Sequence, residues 1–110
     1  MDVRRLVLGA VMDDWVSDYE IQGDFQAELS LDQATAYSRM VLEVTDWIRR
    51  EVLVPGDLVG GFTAWPGSTE ERAARFAGLA ESATVLTQPG QICWFDNGPA
   101  AEGELERLEP

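Results

Sequence analysis

The stretch SDYEIQGDFQAEL, residues 17–29, carries oxygen-bearing side chains at the spacing that calcium-binding loops use. Those side chains are Asp18, Glu20, Gln22, Asp24 and Gln26, with Gly23 in the sixth place. The twelfth place, where a bidentate Glu normally completes the site, is Leu29, which has no ligand oxygen. We therefore expect no calcium site in this stretch.

The same residues have the features of a helix start. Ser17 is followed three residues later by Glu20, the pairing in which two side chains close unpaired backbone amides of the first turn. Ile21, Phe25 and Leu29 then recur every four residues and form one apolar stripe. We predict an amphipathic helix that begins at Asp18 and keeps its acidic face in solvent.

Two residue types that many catalytic mechanisms use, His and Lys, are missing. The 110-residue chain has no His, and all eight of its basic residues are Arg. Schiff-base lysines, phosphate-loop lysines and imidazole acids or bases are therefore excluded. The single cysteine, Cys93, lies in the apolar run QICWF and is predicted to be a small buried hydrophobic residue. We predict a protein that is not an enzyme and has no catalytic residues, cofactor or metal.

A glycine pair, Gly60-Gly61, is the other motif with chemical potential, because glycine-rich loops cradle phosphates. A phosphate loop leads through its glycines into a helix start with Lys and then Ser or Thr. Here the pair is followed by FTAW, which has the composition of a strand. We predict instead a strand from Leu58 to Trp65 in which the glycines mark a bulge or a close backbone approach.

Capping pairs, apolar periodicity and turn residues divide the chain into elements. Beside the helix at Asp18, we predict helices over residues 3–12, 31–53 and 69–81, capped by Asp2, Ser30 and Ser68. A second strand is predicted over Gln91 to Asp96. Residues 100–110 are either a short terminal helix or a frayed tail.

This order of elements predicts the fold class. Three N-terminal helices followed by a small antiparallel sheet is the order of a winged helix, here with an extra helix between the strands. We predict an α+β, winged-helix-like fold that forms a single domain over residues 1–110.

Three segments carry a resemblance to known sequences. DDWVSDYEI, VPGDLVGGFTAW and PGQICWFDNGPA resemble stretches shared by a group of small uncharacterised bacterial proteins that are abundant in GC-rich genomes. The resemblance covers most of the chain and implies a common fold. It implies no activity and no catalytic or binding residues.

The charge balance restricts the partners. Twenty Asp and Glu against eight basic residues give a net charge of -12 and a pI of about 4.1. From Leu6 to Ser38 there are seven acidic residues and no basic one, so that approach to phosphate groups is unfavourable and nucleic acid is an unexpected partner. No apolar run approaches the length of a membrane span, and no export signal is evident. We expect a cytoplasmic protein that does not enter a membrane.

Three functions are compatible with these observations. We predict an acidic protein-interaction or regulatory module whose partner is another, basic protein, with a homodimer left open. A DNA-binding transcription regulator, with the arginines of the long helix on the duplex, is the first alternative, and an inhibitor or immunity-type protein is the second. The candidate interaction residues are Arg39, Arg49, Arg50, Asp14, Asp18 and Asp24.

The four tryptophans are a further source of interface anchors. An aromatic side chain can anchor a partner, but most tryptophans fill a core. We predict core positions for them, with an interface as the alternative. They are Trp15, Trp47, Trp65 and Trp94.

Overall fold

Five helices and four short strands make up residues 2–109, the part of the chain that the computed structural model describes. The helices are α1 (Val3–Asp13), α2 (Asp18–Glu28), α3 (Gln33–Arg49), α4 (Thr69–Ala80) and α5 (Ala101–Leu108). The strands are β1 (Val16–Ser17), β2 (Leu53–Leu58), β3 (Phe62–Ala64) and β4 (Trp94–Asn97). The predicted α+β class is confirmed, and so is the extra helix, α4, which lies between two strands of one sheet.

Helix starts follow local capping chemistry. Asp2 and Ser17 cap α1 and α2 as predicted, and Ser68 forms a complete reciprocal capping box with Glu71 at α4. The predicted Ser30 cap of α3 is wrong. Asp32 is the cap, and its carboxylate accepts the Thr35 N–H at 2.8 Å, while α2 has only just ended and Ser30 is left-handed with a φ of 53°.

The region between α3 and α4 differs from the prediction. The long helix ends at Arg49 rather than at residue 53, because Glu51 is left-handed with a φ of 64° and Leu53 already begins β2. The segment containing Pro55 and Gly56, expected to be a turn, runs inside that strand. The glycine pair is the turn of the β2–β3 hairpin rather than a bulge.

Pairing between distant segments explains why the region between α3 and α4 differs from the prediction. The sheet is antiparallel with the strand order β1-β4-β2-β3, so the late strand β4 lies between β1 and β2. Leu53 pairs with Asn97 and Gly56 with Trp94, which draws the VPG segment into the sheet. The sheet therefore has four strands, where the sequence predicts two.

One face of the sheet packs against the helices. Phe95 of β4 is fully buried, and its ring meets that of Phe76 in α4 edge-on with the centroids 5.7 Å apart. Trp47, Trp65 and Cys93 are buried, as predicted. The core lies between this face and helices α1, α2, α3 and α4, all of which contribute buried apolar side chains.

The C-terminal segment forms the helix α5, so the first of its two predicted alternatives, a short terminal helix, is confirmed. Its Glu104 side chain is buried and accepts hydrogen bonds from Arg50 at 3.0 Å and Arg107 at 2.9 Å. The two guanidinium groups lower the pKa of Glu104 to about 2. This ion cluster ties α5 to the end of α3.

Candidate functional site on the open face of the sheet

Large side chains of the opposite sheet face reach solvent. Side chains alternate between the two faces of a strand, so Trp15 and Trp94, next to the buried Val16 and Phe95, lie on the face opposite the core. Trp15, immediately before β1, is 40% exposed, and Phe62 of β3 and Trp94 of β4 are half-buried. We call this surface, formed by Trp15, Phe62 and Trp94, the open face.

Two of these aromatic rings stack across the sheet. The centroids of Trp15 and Phe62 are 6.1 Å apart, and their planes differ by 23°. In the order β1-β4-β2-β3 these residues come from opposite edges, so their side chains meet above the two inner strands. Offset stacking of this kind is a favourable aromatic geometry.

Gly56 makes this stacking sterically possible. A Cβ atom at Gly56 would lie 2.6 Å from Cζ of Phe62 and closer still to the Thr63 carbonyl oxygen. The missing side chain lets the Phe62 ring lie flat over β2 and reach towards Trp15. The glycine that the sequence suggested as part of a turn therefore shapes the open face.

Trp94 extends the aromatic surface towards α2. Its indole lies against Gly90, which has a φ of 72° and whose Cβ, if present, would collide with Nε1 of Trp94. Trp94 and Tyr19 both line a groove of about 410 Å³ beside the N-terminal half of α2. The open face thus continues into a second, more polar depression.

An acidic cleft adjoins Trp15. It has a volume of about 270 Å³, and its lining residues include Trp15, Asp13, Asp14 and Asp96. One oxygen of Asp14 accepts the Trp15 N–H at 2.7 Å, and one oxygen of Asp96 accepts the Asn97 N–H at 2.9 Å. These bonds orient two carboxylates at the border of the open face.

The three acidic candidates from the sequence belong to different features. Asp14 lies in the acidic cleft, but the interaction role predicted for Asp18 is wrong because that residue is fully buried. Its carboxylate accepts the backbone N–H groups of Gly90 at 2.9 Å and Ile92 at 2.6 Å, and burial raises its pKa. Asp18 therefore anchors the segment that leads into β4.

Asp24 lies apart from the open face, half-buried on α2. Desolvation, with the neighbouring charges of Glu20 and Glu28, raises its pKa to about 6. The acids of α2 thus repel one another along the helix.

The arginine candidates do not share a basic surface. Arg49 pairs with Glu70 at 3.0 Å, and Arg50 pairs with Asp46 at 2.8 Å as well as with Glu104. Arg39 borders a different groove, of about 580 Å³, whose lining also includes Asp2 and Glu43. Carboxylates interleave with these guanidinium groups, which gives no support to contacts with a phosphate backbone.

Sequence reasoning missed the main elements of the site. The sequence predicts a core position for Trp15, with an interface as the alternative, and gives no reason to single out Phe62 or Asp96. The sequence does hold one signal: in Trp15-Val16-Ser17, an extended segment with Val16 in the core must turn Trp15 to the other face. Nothing local reveals that Phe62 and Trp15 meet, since four strands must first assemble.

No protein-family model, curated protein or solved structure matches this chain. The bacterial group and the winged-helix likeness therefore stay predictions. A membrane-spanning helix is not found in residues 2–109, where none combines the required length and apolarity. In the same residues, no three His, Cys, Asp or Glu side chains converge closely enough to hold a metal ion.

Proposed function

We propose that this chain is a non-enzymatic, cytoplasmic protein-interaction module that binds a partner protein through the open face. The single observation that carries the proposal is the Trp15–Phe62 stack, which is held across the sheet with Trp15 40% exposed. Aromatic residues are enriched in protein interfaces, and Trp is among the residues that most often carry binding energy there. The exposed part of these rings contributes no burial energy to the folded chain alone.

The surroundings of the stack extend the apolar surface. Met12 is 37% exposed and Leu58 is 36% exposed. Met12 lines the acidic cleft, and Leu58 pairs with Phe62 across the hairpin. Contiguous apolar surface bordered by charge is typical of a site that another protein covers.

The charge of the chain selects the kind of partner. With a net charge of -12, the module attracts basic proteins and repels acidic ones and nucleic acids. An inhibitor or immunity-type role would use the same face, with the basic protein as its target.

Capture from a lysate of the native host tests the proposal. We expect the tagged wild-type chain to retain a partner that a Trp15→Ala/Phe62→Ala variant retains at least tenfold less. Leu42→Ala is the matched control, because Leu42 is 72% exposed on α3 and does not belong to the open face. Equal recovery with the double variant, or no reproducible partner, would contradict the proposal.

A duplex-binding experiment tests the DNA alternative. We expect no shift of labelled duplex DNA at moderate ionic strength, because the arginines of α3 are bordered by carboxylates. A steeply salt-dependent shift would favour the regulator instead.

A further inference from the structure

The acidic cleft and the open face meet at one side chain. Trp15 stacks on Phe62 and also lines the cleft with Asp14 and Asp96. A ligand group in this cleft therefore meets an indole ring and carboxylates together. That combination suits an organic cation, which gains from the ring's negative face and from the nearby negative charges.

The geometry favours an organic cation over a metal ion. A metal site needs several oxygen ligands at about 2.0–2.6 Å from one point. The carboxylates of the cleft do not form such a group within residues 2–109. A guanidinium group is broader and planar, and it can bond separated acceptors with different edges.

The chain itself contains the same kind of contact. The guanidinium carbon of Arg75 lies 4.0 Å from the centroid of the Trp65 ring. Nε of the adjacent Arg72 donates to the Trp65 carbonyl oxygen at 2.7 Å. The internal pair shows an arginine using an indole face in this fold, whereas Trp15 has a cleft beside it and remains partly exposed.

We propose that the acidic cleft receives an arginine side chain of the partner protein, with its guanidinium group against Trp15 and between Asp14 and Asp96. This inference rests on the proposed function, since the partner is the protein that covers the open face. The inference adds to the proposed function the type of residue that the partner contributes, an arginine. The aromatic stack supplies apolar contact, and the cleft selects an arginine-bearing segment.

Three short peptides test the cleft separately from the unknown partner. The probes are acetyl-Gly-Arg-Gly-amide, the same peptide with citrulline, and the same peptide with lysine. Citrulline keeps the shape of arginine without its charge, and lysine keeps the charge without the planar group. Binding is followed at low ionic strength by the NMR shifts of the Trp15 indole N–H, which a Trp15→Phe variant assigns.

We expect saturable shifts with the arginine peptide, several-fold weaker binding with lysine and none with citrulline. Asp14→Asn/Asp96→Asn should raise the dissociation constant about tenfold. Asn keeps the oxygens that accept the Trp15 and Asn97 N–H groups, so this variant should retain the fold. The control is Glu81→Gln/Glu106→Gln, which removes the same charge from two exposed residues elsewhere.

Two outcomes would overturn the inference. Equal shifts with citrulline, or equal binding by the Asp14/Asp96 variant and its control, would show that the cleft does not select an arginine. The capture experiment is independent, so loss of the partner from the aromatic variant would still support the proposed function. Specific arginine shifts with unchanged capture would support the cleft and overturn the proposed function.

Discussion

Phe95 and Trp94 are neighbours in β4, and their side chains point to opposite faces of the sheet. Phe95 is fully buried against Phe76, whereas Trp94 is half-buried on the face where Trp15 stacks on Phe62. On the helix-covered face, aromatic rings fill the core of the folded chain. On the open face they contact one another but leave apolar surface in water, so they should contribute less to stability than the rings of the core.

The largest loss of stability should come from a substitution on the helix-covered face of the sheet. Phe95→Ala removes a fully buried ring and leaves a cavity beside Phe76. We expect the free energy of unfolding, measured by urea titration, to fall by about 3–5 kcal/mol. A loss below about 1 kcal/mol would contradict the assignment of this face to the core.

The next largest difference should lie between two carboxylates that flank β1, the buried Asp18 and the exposed Asp14. Asp18→Ala removes the acceptor for the Gly90 and Ile92 N–H groups and should cost about 2–3 kcal/mol. Asp14→Ala, the matched control at an exposed position, should cost less than about 0.5 kcal/mol. Equal losses in urea unfolding would break the distinction between an anchoring and a surface carboxylate.

Gly56→Ala should disturb the open face from beneath. The added methyl group collides with the Phe62 ring and the Thr63 carbonyl group, so we expect a loss of about 1–3 kcal/mol. The near-ultraviolet circular dichroism of the tryptophans should change as the Trp15–Phe62 stack is displaced. An unchanged spectrum would show that the glycine does not set the position of the ring.

Removing the exposed stack should have a smaller effect on stability. Phe62→Ala removes a ring that is only half-buried, and the aromatic contact itself contributes about 0.5–1.5 kcal/mol. We expect a loss near that range, together with altered Trp15 fluorescence. A loss as large as that of Phe95→Ala would place Phe62 in the core and remove the reason to assign it to binding.

The smallest change in stability should come from Asp24, which lies on α2 outside both faces, and it should depend on pH. Because the pKa of Asp24 is raised from 3.8 to about 6, its contribution to stability is present below pH 4 and is lost as the pH rises through 6. Asp24→Asn should therefore stabilise the chain at pH 7 by less than about 1 kcal/mol, with no gain at pH 4. Urea unfolding across this range measures the difference, and a gain independent of pH would contradict it.

Features that depend on interactions between nearby residues can be predicted from the sequence, whereas features that depend on contacts between distant residues cannot. The caps Asp2, Ser17 and Ser68 depend on residues a few positions away, and the sequence predicts all three. Pro55 and Gly56 favour a turn locally, but β4, about forty residues later, draws them into a strand. Local chemistry could not predict that outcome because the register depends on the folded chain.

The candidate site also contains residues that the sequence indicates and residues that only the fold reveals. Charge alone makes Asp14 a candidate, whereas Trp15 is predicted to lie in the core, with an interface as the alternative. Phe62 and Asp96 join these residues only through the strand order. Charge could therefore predict the sign of the surface potential, whereas the position of the open face depends on long-range pairing.

The inner position of β4 also has a consequence for biosynthesis. Strand β1 is separated in the chain from its pairing strand β4 by helices α2 to α4 and the β2–β3 hairpin, and β4 is complete only when residue 97 has been added. Until then, Trp15 and Phe62 have no joined sheet beneath them. We therefore expect the open face to form only after residue 97 has been synthesised.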